Sequence, residues 1–201
     1  MSTPTVTRGH GLLEGFLARQ RIRQAKKLIP PGASAGRVLD IGCGSYPLFL
    51  VSSDFAEKFG LDRVAVTLPD GRRDSNLKVL EYDVQAAPEL PFPASHFDAV
   101  TMLAVFEHLE PTVLRRLITE VRRVLKPGGV YVMTTPAQWT DGLLKLLARL
   151  GLVSSMEIDE HKGSYGHVEI RSVLEDSGFG PDQVRLGYFE AGLNVWAVAT
   201  R

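Results

Sequence analysis

Between residues 37 and 134 short apolar runs alternate with stretches of helical periodicity, and several of the runs stop at an acid or a glycine. Alternation of this kind folds as a mostly parallel sheet with helices on its faces, because parallel neighbours need a crossover between them. The first run, Arg37-Val38-Leu39-Asp40-Ile41, breaks on Gly42 and Gly44, a strand entering a glycine turn. Lys58 to Asp62, Leu77 to Tyr82, Phe97 to Leu103 and Val130 to Thr134 read as the next four strands. Phe97 to Leu103 is near-continuously apolar, as a strand buried on both faces should be. Tyr46 to Glu57 can form the first crossover helix, and Val113 to Leu125 is the clearest one. Its residues Val113, Leu114, Leu117, Ile118, Val121, Val124 and Leu125 share one face, with Pro111 near the start where proline fits. Val64 to Asn76 and the stretch around Pro88, Pro91 and Pro93 read as connections.

Outside this block the pattern changes. Leu12 to Ile29 has helical spacing between Arg and Lys residues and is stopped by Pro30-Pro31-Gly32. Trp139 to Val153 is amphipathic and helical, Ser154 to Gly166 is polar, and Val168 to Asp176 is a further helix. Val184 to Glu190 and Asn194 to Thr200 are joined by Ala191-Gly192-Leu193, which signals a hairpin. The expected architecture is α/β, a Rossmann-like doubly wound sheet that ends in an antiparallel edge element.

A length of 201 residues suits one domain that buries roughly 70% of its unfolded surface without staples. One cysteine, Cys43, excludes an internal disulfide framework and a multi-Cys zinc site. No apolar run approaches the roughly 20 residues of a membrane span, and Met1 to Gly11 lacks the pattern of a secretory signal, so a cytoplasmic protein is expected. The balance of 23 Lys+Arg against 23 Asp+Glu hides an asymmetry: Met1 to Arg37 carries seven basic residues and one acid. Such an arm serves nucleic acid or an anionic membrane surface in some proteins, and in others is a solvated helix face set against an acidic body. Only Phe16 interrupts it as an aromatic, which gives little of the stacking that single-strand binders use.

The glycine turn after the first strand is where a doubly wound sheet binds nucleotides. A dinucleotide fingerprint needs a third glycine at position 47, which is Pro47 here, and Asp40 would set a negative charge against a pyrophosphate. A cationic or zwitterionic ligand suits Asp40 better. Asp62 falls 20 residues after Gly42, at the end of the second strand, where a carboxylate can accept from both hydroxyls of a ribose. Asp83 closes the third strand, beside Val84, where an acceptor could meet an exocyclic amine. Each acid alone could be a turn or cap residue. Three at successive strand ends are hard to attribute to turns.

These residues resemble the class I S-adenosylmethionine-dependent methyltransferases over about Arg37 to Pro136. Val38-Leu39-Asp40-Ile41-Gly42-Cys43-Gly44 is similar to the family's first motif, Asp62 to its ribose acid and Asp83-Val84 to its adenine-side pair. Phe97-Asp98-Ala99-Val100 with Glu107-His108-Leu109 resembles the fourth-strand region, and Leu125-Lys126-Pro127-Gly128-Gly129 the turn before the fifth strand. Ser45-Tyr46-Pro47 departs from members that carry a further glycine there. The resemblance implies a seven-stranded sheet of order 3-2-1-4-5-7-6 with the last strand antiparallel, and S-adenosylmethionine as cofactor. It assigns cofactor contacts to Asp40, Gly42, Cys43, Gly44, Asp62, Asp83 and Val84, and to the backbone at Leu103 and Ala104. It also implies a single domain over 1–201 with a helical arm in 1–36 and a substrate cover in 137–166.

Methyl transfer needs alignment above all, and a base only where the acceptor must lose a proton. His108, His161 and His167 are the candidate bases or acceptor-binding groups, with Glu107 and Tyr165 behind them; no metal is expected. Cys43 reads as a small filler beside the cofactor. The expected acceptor is a small molecule attacked at O, N or C, without nucleic acid, on a monomer or homodimer in which peripheral membrane contact stays open. The competing readings are a nicotinamide oxidoreductase, a non-catalytic cofactor-binding subunit and an RNA methyltransferase.

Overall fold

The computed structural model describes residues 14–64, 75–140 and 165–201. Seven strands form one sheet: β1 (Arg37–Ile41), β2 (Glu57–Asp62), β3 (Leu77–Glu81), β4 (Phe97–Leu103), β5 (Leu125–Pro136), β6 (Val184–Phe189) and β7 (Asn194–Thr200). Their order is β3-β2-β1-β4-β5-β7-β6. β3, β2, β1, β4 and β5 are parallel, whereas β7 runs antiparallel to both β5 and β6. The expected order and the reversed last strand are what the chain adopts.

Alternation along the strands sends successive side chains to opposite faces, and each face has its own cover. Val38 of β1, Ala99 of β4, and Val130 and Val132 of β5 pack with Ala25 and Ile29 of helix α1 (Glu14–Leu28) and with Phe49 and Leu50 of α2 (Leu48–Val51). Leu39, Ile41, Val100, Met102, Tyr131 and Met133 pack on the other face. That face is closed by Leu114, Leu117, Ile118 and Val121 of α3 (Pro111–Val124) and by Ile170, Val173 and Leu174 of α4 (His167–Asp176). Burying a single one of these leucines or isoleucines contributes about 1.5–3 kcal/mol, which is why the apolar stripe of α3 was readable.

Three local expectations need correction. Tyr46 to Glu57 is not a helix; only Leu48–Val51 is, because Ser52 and Ser53 both turn their hydroxyls onto the Phe49 carbonyl. Hydroxyls that bond nearby backbone in this way compete with helix continuation. β5 starts at Leu125 rather than Val130, with a register shift against β4 between Phe97 and Ala99. The Gly128-Gly129 segment does not end the pairing, since it exchanges hydrogen bonds with Arg201 at the chain's end. Trp139 lies in a short 3-10 turn, Gln138–Thr140. The amphipathic stretch beyond it, the rest of the polar segment up to 164, and most of the Val64 to Asn76 connection fall outside the described residues.

Candidate active site

The order β3-β2-β1-β4 brings the ends of four parallel strands to one edge, and the acids of the first three with them. Asp40 is buried in β1, and its carboxylate accepts a 2.6 Å hydrogen bond from Thr101 Oγ1 of β4. Thr101 stands in register opposite Asp40, so the strand pairing itself sets this contact. Burial raises the Asp40 carboxyl to about 7; the Thr101 bond opposes that rise and Asp62 adds to it. Among the described residues no ion pair offsets that burial, so Asp40 is poised to take up or release a proton near neutral pH.

The glycine turn is shaped by what it touches. Gly42 has φ +75°, and a Cβ there would fall 2.3 Å from Val105 Cγ2, so glycine is required twice over. Gly44 has φ +76°. The amides of Gly42 and Cys43 donate to the Leu61 carbonyl at 2.7 and 3.2 Å, and that of Gly44 to Asp62 Oδ2 at 2.8 Å. Three successive N–H groups thus turn toward β2 instead of cradling an anion. Phosphate sites in such turns depend on free amides, so the geometry disfavours a dinucleotide.

Asp62 is buried, with Oδ1 also accepting from Val64 N–H at 3.1 Å. These bonds fix the orientation of the Asp62 carboxylate at the end of β2. Asp83 is exposed just past β3 and accepts from Gln85 N–H at 2.8 Å, while Val84 packs against the core. Cys43 is buried and its sulfur fills the space left by Gly60, where a Cβ would come within 2.8 Å of it.

A cleft opens at this edge between the sheet and α1. Asp40, Gly42, Cys43 and Leu103 line one side of it, and Ala18, Arg21 and Ile22 of α1 the other. Ala104, directly after β4, holds φ +55° while its N–H donates to Thr134 O. A non-glycine residue in that conformation stores strain of about 1–3 kcal/mol, and such residues cluster at binding sites.

Of the three candidate histidines, His108 stands in the turn Phe106–His108 that leaves β4, half-buried. His161 falls outside the described residues. His167 begins α4 and stacks on Tyr188 of β6, with ring centroids 4.3 Å apart. β6 lies three strand positions from β4, roughly 14 Å at the usual spacing, so His167 belongs to the sheet's outer flank. Tyr165 is buried against Phe106 and donates to the Leu109 carbonyl, and buried Glu107 accepts from Thr135 Oγ1 at 3.0 Å. Both anchor the segment after β4. Thr101, Val105 and Arg21 were missed by sequence reasoning; for Thr101 the signal was there, a polar residue inside an otherwise apolar strand.

Residues 39–133 match a protein-family model described as a methyltransferase domain. The chain is 38% identical over 105 residues to the fatty-acid O-methyltransferase of Mycolicibacterium smegmatis, covering 49% of this chain and 36% of that one. It is 29% identical over 115 residues to the tRNA N(3)-cytidine methyltransferase METTL2 of Danio rerio, covering 51% and 33%. The chain spans about half or less of the length of the curated relatives it matches. In structure it is similar to a SAM-dependent methyltransferase from Archaeoglobus fulgidus, with a TM-score of 0.65, 16% identity, and coverage of 92% and 94%. At that identity the likeness speaks for the fold alone.

Proposed function

We propose that the chain, whose residues 39–133 match the methyltransferase-domain model, is a class I S-adenosylmethionine-dependent methyltransferase that transfers the methyl group to an O, N or C nucleophile of a small-molecule acceptor. The single observation that carries this is the buried Asp40 beside a glycine turn whose amides are already satisfied. A carboxylate in that position takes a ligand with a positive group. The donor set fits S-adenosylmethionine on the same ground: cation toward Asp40, ribose hydroxyls toward Asp62, adenine beside Asp83 and Val84. Gly42, Cys43 and Gly44 would form the floor, with the backbone of Leu103 and Ala104 toward the ammonium.

When bound, the cofactor supplies a methyl on a sulfonium that leaves as a neutral thioether, so no acid is needed for the leaving group. The chain's part is alignment, which can supply roughly 7–11 kcal/mol of the barrier. α1 covers the cleft over Asp40 and Gly42 and keeps water from that side. His108, on the turn leaving β4, is our candidate for holding the proton of an O–H or N–H acceptor. His167, on the outer flank, is a candidate for acceptor binding only, and His161 is kept as a second. We further propose one domain, its arm in 1–36 and its cover in 137–166, working in the cytoplasm as a monomer or homodimer.

An RNA acceptor keeps two observations in its favour. Arg19, Arg23, Lys26 and Lys27 are exposed on α1, and two of the relatives are named as acting on tRNA. The test is release of S-adenosylhomocysteine from S-adenosylmethionine, with either small-molecule acceptors or total tRNA added. Turnover on small molecules alone is expected. Turnover on tRNA alone, lost when those four residues are neutralised, would replace the proposal with the RNA reading.

A further inference from the structure

The hairpin joining β6 to β7 places two residues other than glycine or asparagine in the left-handed positions of its turn. Glu190 and Ala191 hold φ +52° and +54°, followed by Gly192 at +88°. Two consecutive non-glycine residues in the left-handed region are costly and persist only where the surroundings fix them. The turn carries the Glu190 carboxylate beside Asn194. Asn194 Nδ2 donates to Glu190 Oε2, whereas Oε1 is buried with no hydrogen-bond partner among the described residues. Burial pushes this carboxyl above the usual range, against the opposing influence of Arg21 and then Asn194.

Arg21 reaches the same place from α1. It lines the cleft that holds Asp40 and Gly42, its charge is felt at Glu190, and its Nε is buried without a partner among the described residues. No direct hydrogen bond or ion pair joins the two side chains. Thr134 Oγ1 of β5 is buried and unpartnered as well, and period-two alternation from Val130 and Val132 puts it on the sheet face that α1 covers. A donor and two acceptors left unmade in one region are unusual, because each unpaired buried group carries a substantial desolvation penalty. Together they offer polar groups that a polar ligand would satisfy. Asn194 opens the reversed strand β7 opposite Pro136 at the end of β5, with Glu190 in the turn before it, so this region shares the sheet edge with the cofactor cleft.

We propose that Arg21 and Glu190 form the acceptor subsite, and that the acceptor is a small molecule with a hydroxyl or amino group beside a carboxylate. The planar guanidinium takes the carboxylate, and Glu190 Oε1 takes the neighbouring O–H or N–H. A phosphodiester brings negative charge to Glu190 with no donor for it, and a simple fatty acid also lacks the donor. The proposal rests on the methyltransferase reading and narrows it to a substrate class.

The experiment follows release of S-adenosylhomocysteine with 2-hydroxybenzoate and 2-aminobenzoate as paired probes. Phenol, benzoate, hexadecanoate and tRNA serve as single-feature controls, and binding of S-adenosylhomocysteine is measured in parallel. At least one paired probe is expected to exceed every control by tenfold or more in kcat/KM. Glu190→Gln and Arg21→Met should each lose that preference at least tenfold, chiefly through KM, with S-adenosylhomocysteine affinity unchanged within twofold in Glu190→Gln. Protein that binds S-adenosylhomocysteine but turns over neither paired probe, or shows no preference for them, overturns the subsite. So does an unaltered preference in both variants. Failure to bind S-adenosylhomocysteine overturns instead the reading beneath it.

Discussion

Thr101 Oγ1 donates a 2.6 Å hydrogen bond to the Asp40 carboxylate across the β1–β4 pairing, where burial raises that carboxyl. With its carboxyl raised to about 7, Asp40 holds a proton in the folded chain that the unfolded chain has already lost above about pH 4. The ligand-free protein is thus expected to lose stability as pH rises from about 4 to 7, by at most about 1.4 kcal/mol per unit, and to lose no more from Asp40 above that. Asp40→Asn should flatten the slope. Urea unfolding at a series of pH values checks both.

The same carboxyl links pH to ligand binding. A positive group facing Asp40 favours its charged form, so S-adenosylmethionine should bind more tightly at pH 8 than at pH 6 and release a proton on binding near pH 7. Calorimetry in buffers of different ionisation enthalpy measures that proton. Asp40→Asn should abolish the release.

Gly42→Ala combines a forbidden φ with a Cβ 2.3 Å from Val105 Cγ2. Its expected cost is about 1–3 kcal/mol for the backbone strain, with the clash in addition. Adding Val105→Ala should relieve the clash and leave the backbone share. Chemical unfolding of the single and double variants separates the two.

Asp98 is an acid of a different kind, although it lies next to the motif-bearing strands. It accepts 2.8 Å and 2.7 Å bonds from Arg37 N–H and Lys126 Nζ at the opposite edge of the sheet. Burial would raise its carboxyl, but these two partners outweigh that and hold it below the usual range. Its contribution is therefore present at neutral pH and fades as pH falls below about 4. Asp98→Ala should lower stability at pH 7 by about 1–2 kcal/mol and leave cofactor affinity unchanged. Unfolding and binding measured on one preparation distinguish it from Asp40 and Asp62.

The alternating strands and the acids at the ends of β1, β2 and β3 were legible because both follow from local patterns, a buried apolar run and the residue that ends it, whereas the strand order followed only from the family resemblance. The failure at Tyr46 to Glu57 came from side chains that look neutral in a helix count. Ser52 and Ser53 bond back to Phe49 and stop α2 after one turn. Arg21 and Glu190 were invisible for another reason: they stand 169 positions apart in the chain, and only the folding of α1 over the sheet brings their charges together. Asp83 shows the reverse, since it was legible as a site acid while its structure also gives it an ordinary turn contact with Gln85.

Calorimetric titration of S-adenosylhomocysteine into the intact chain is the most direct test of the site at the β1–β4 edge. One site per chain is expected, with Asp62→Ala weakening it at least tenfold, about 1.4 kcal/mol, and NADH failing to compete. No binding by the folded protein, or NADH binding equally well, would contradict it.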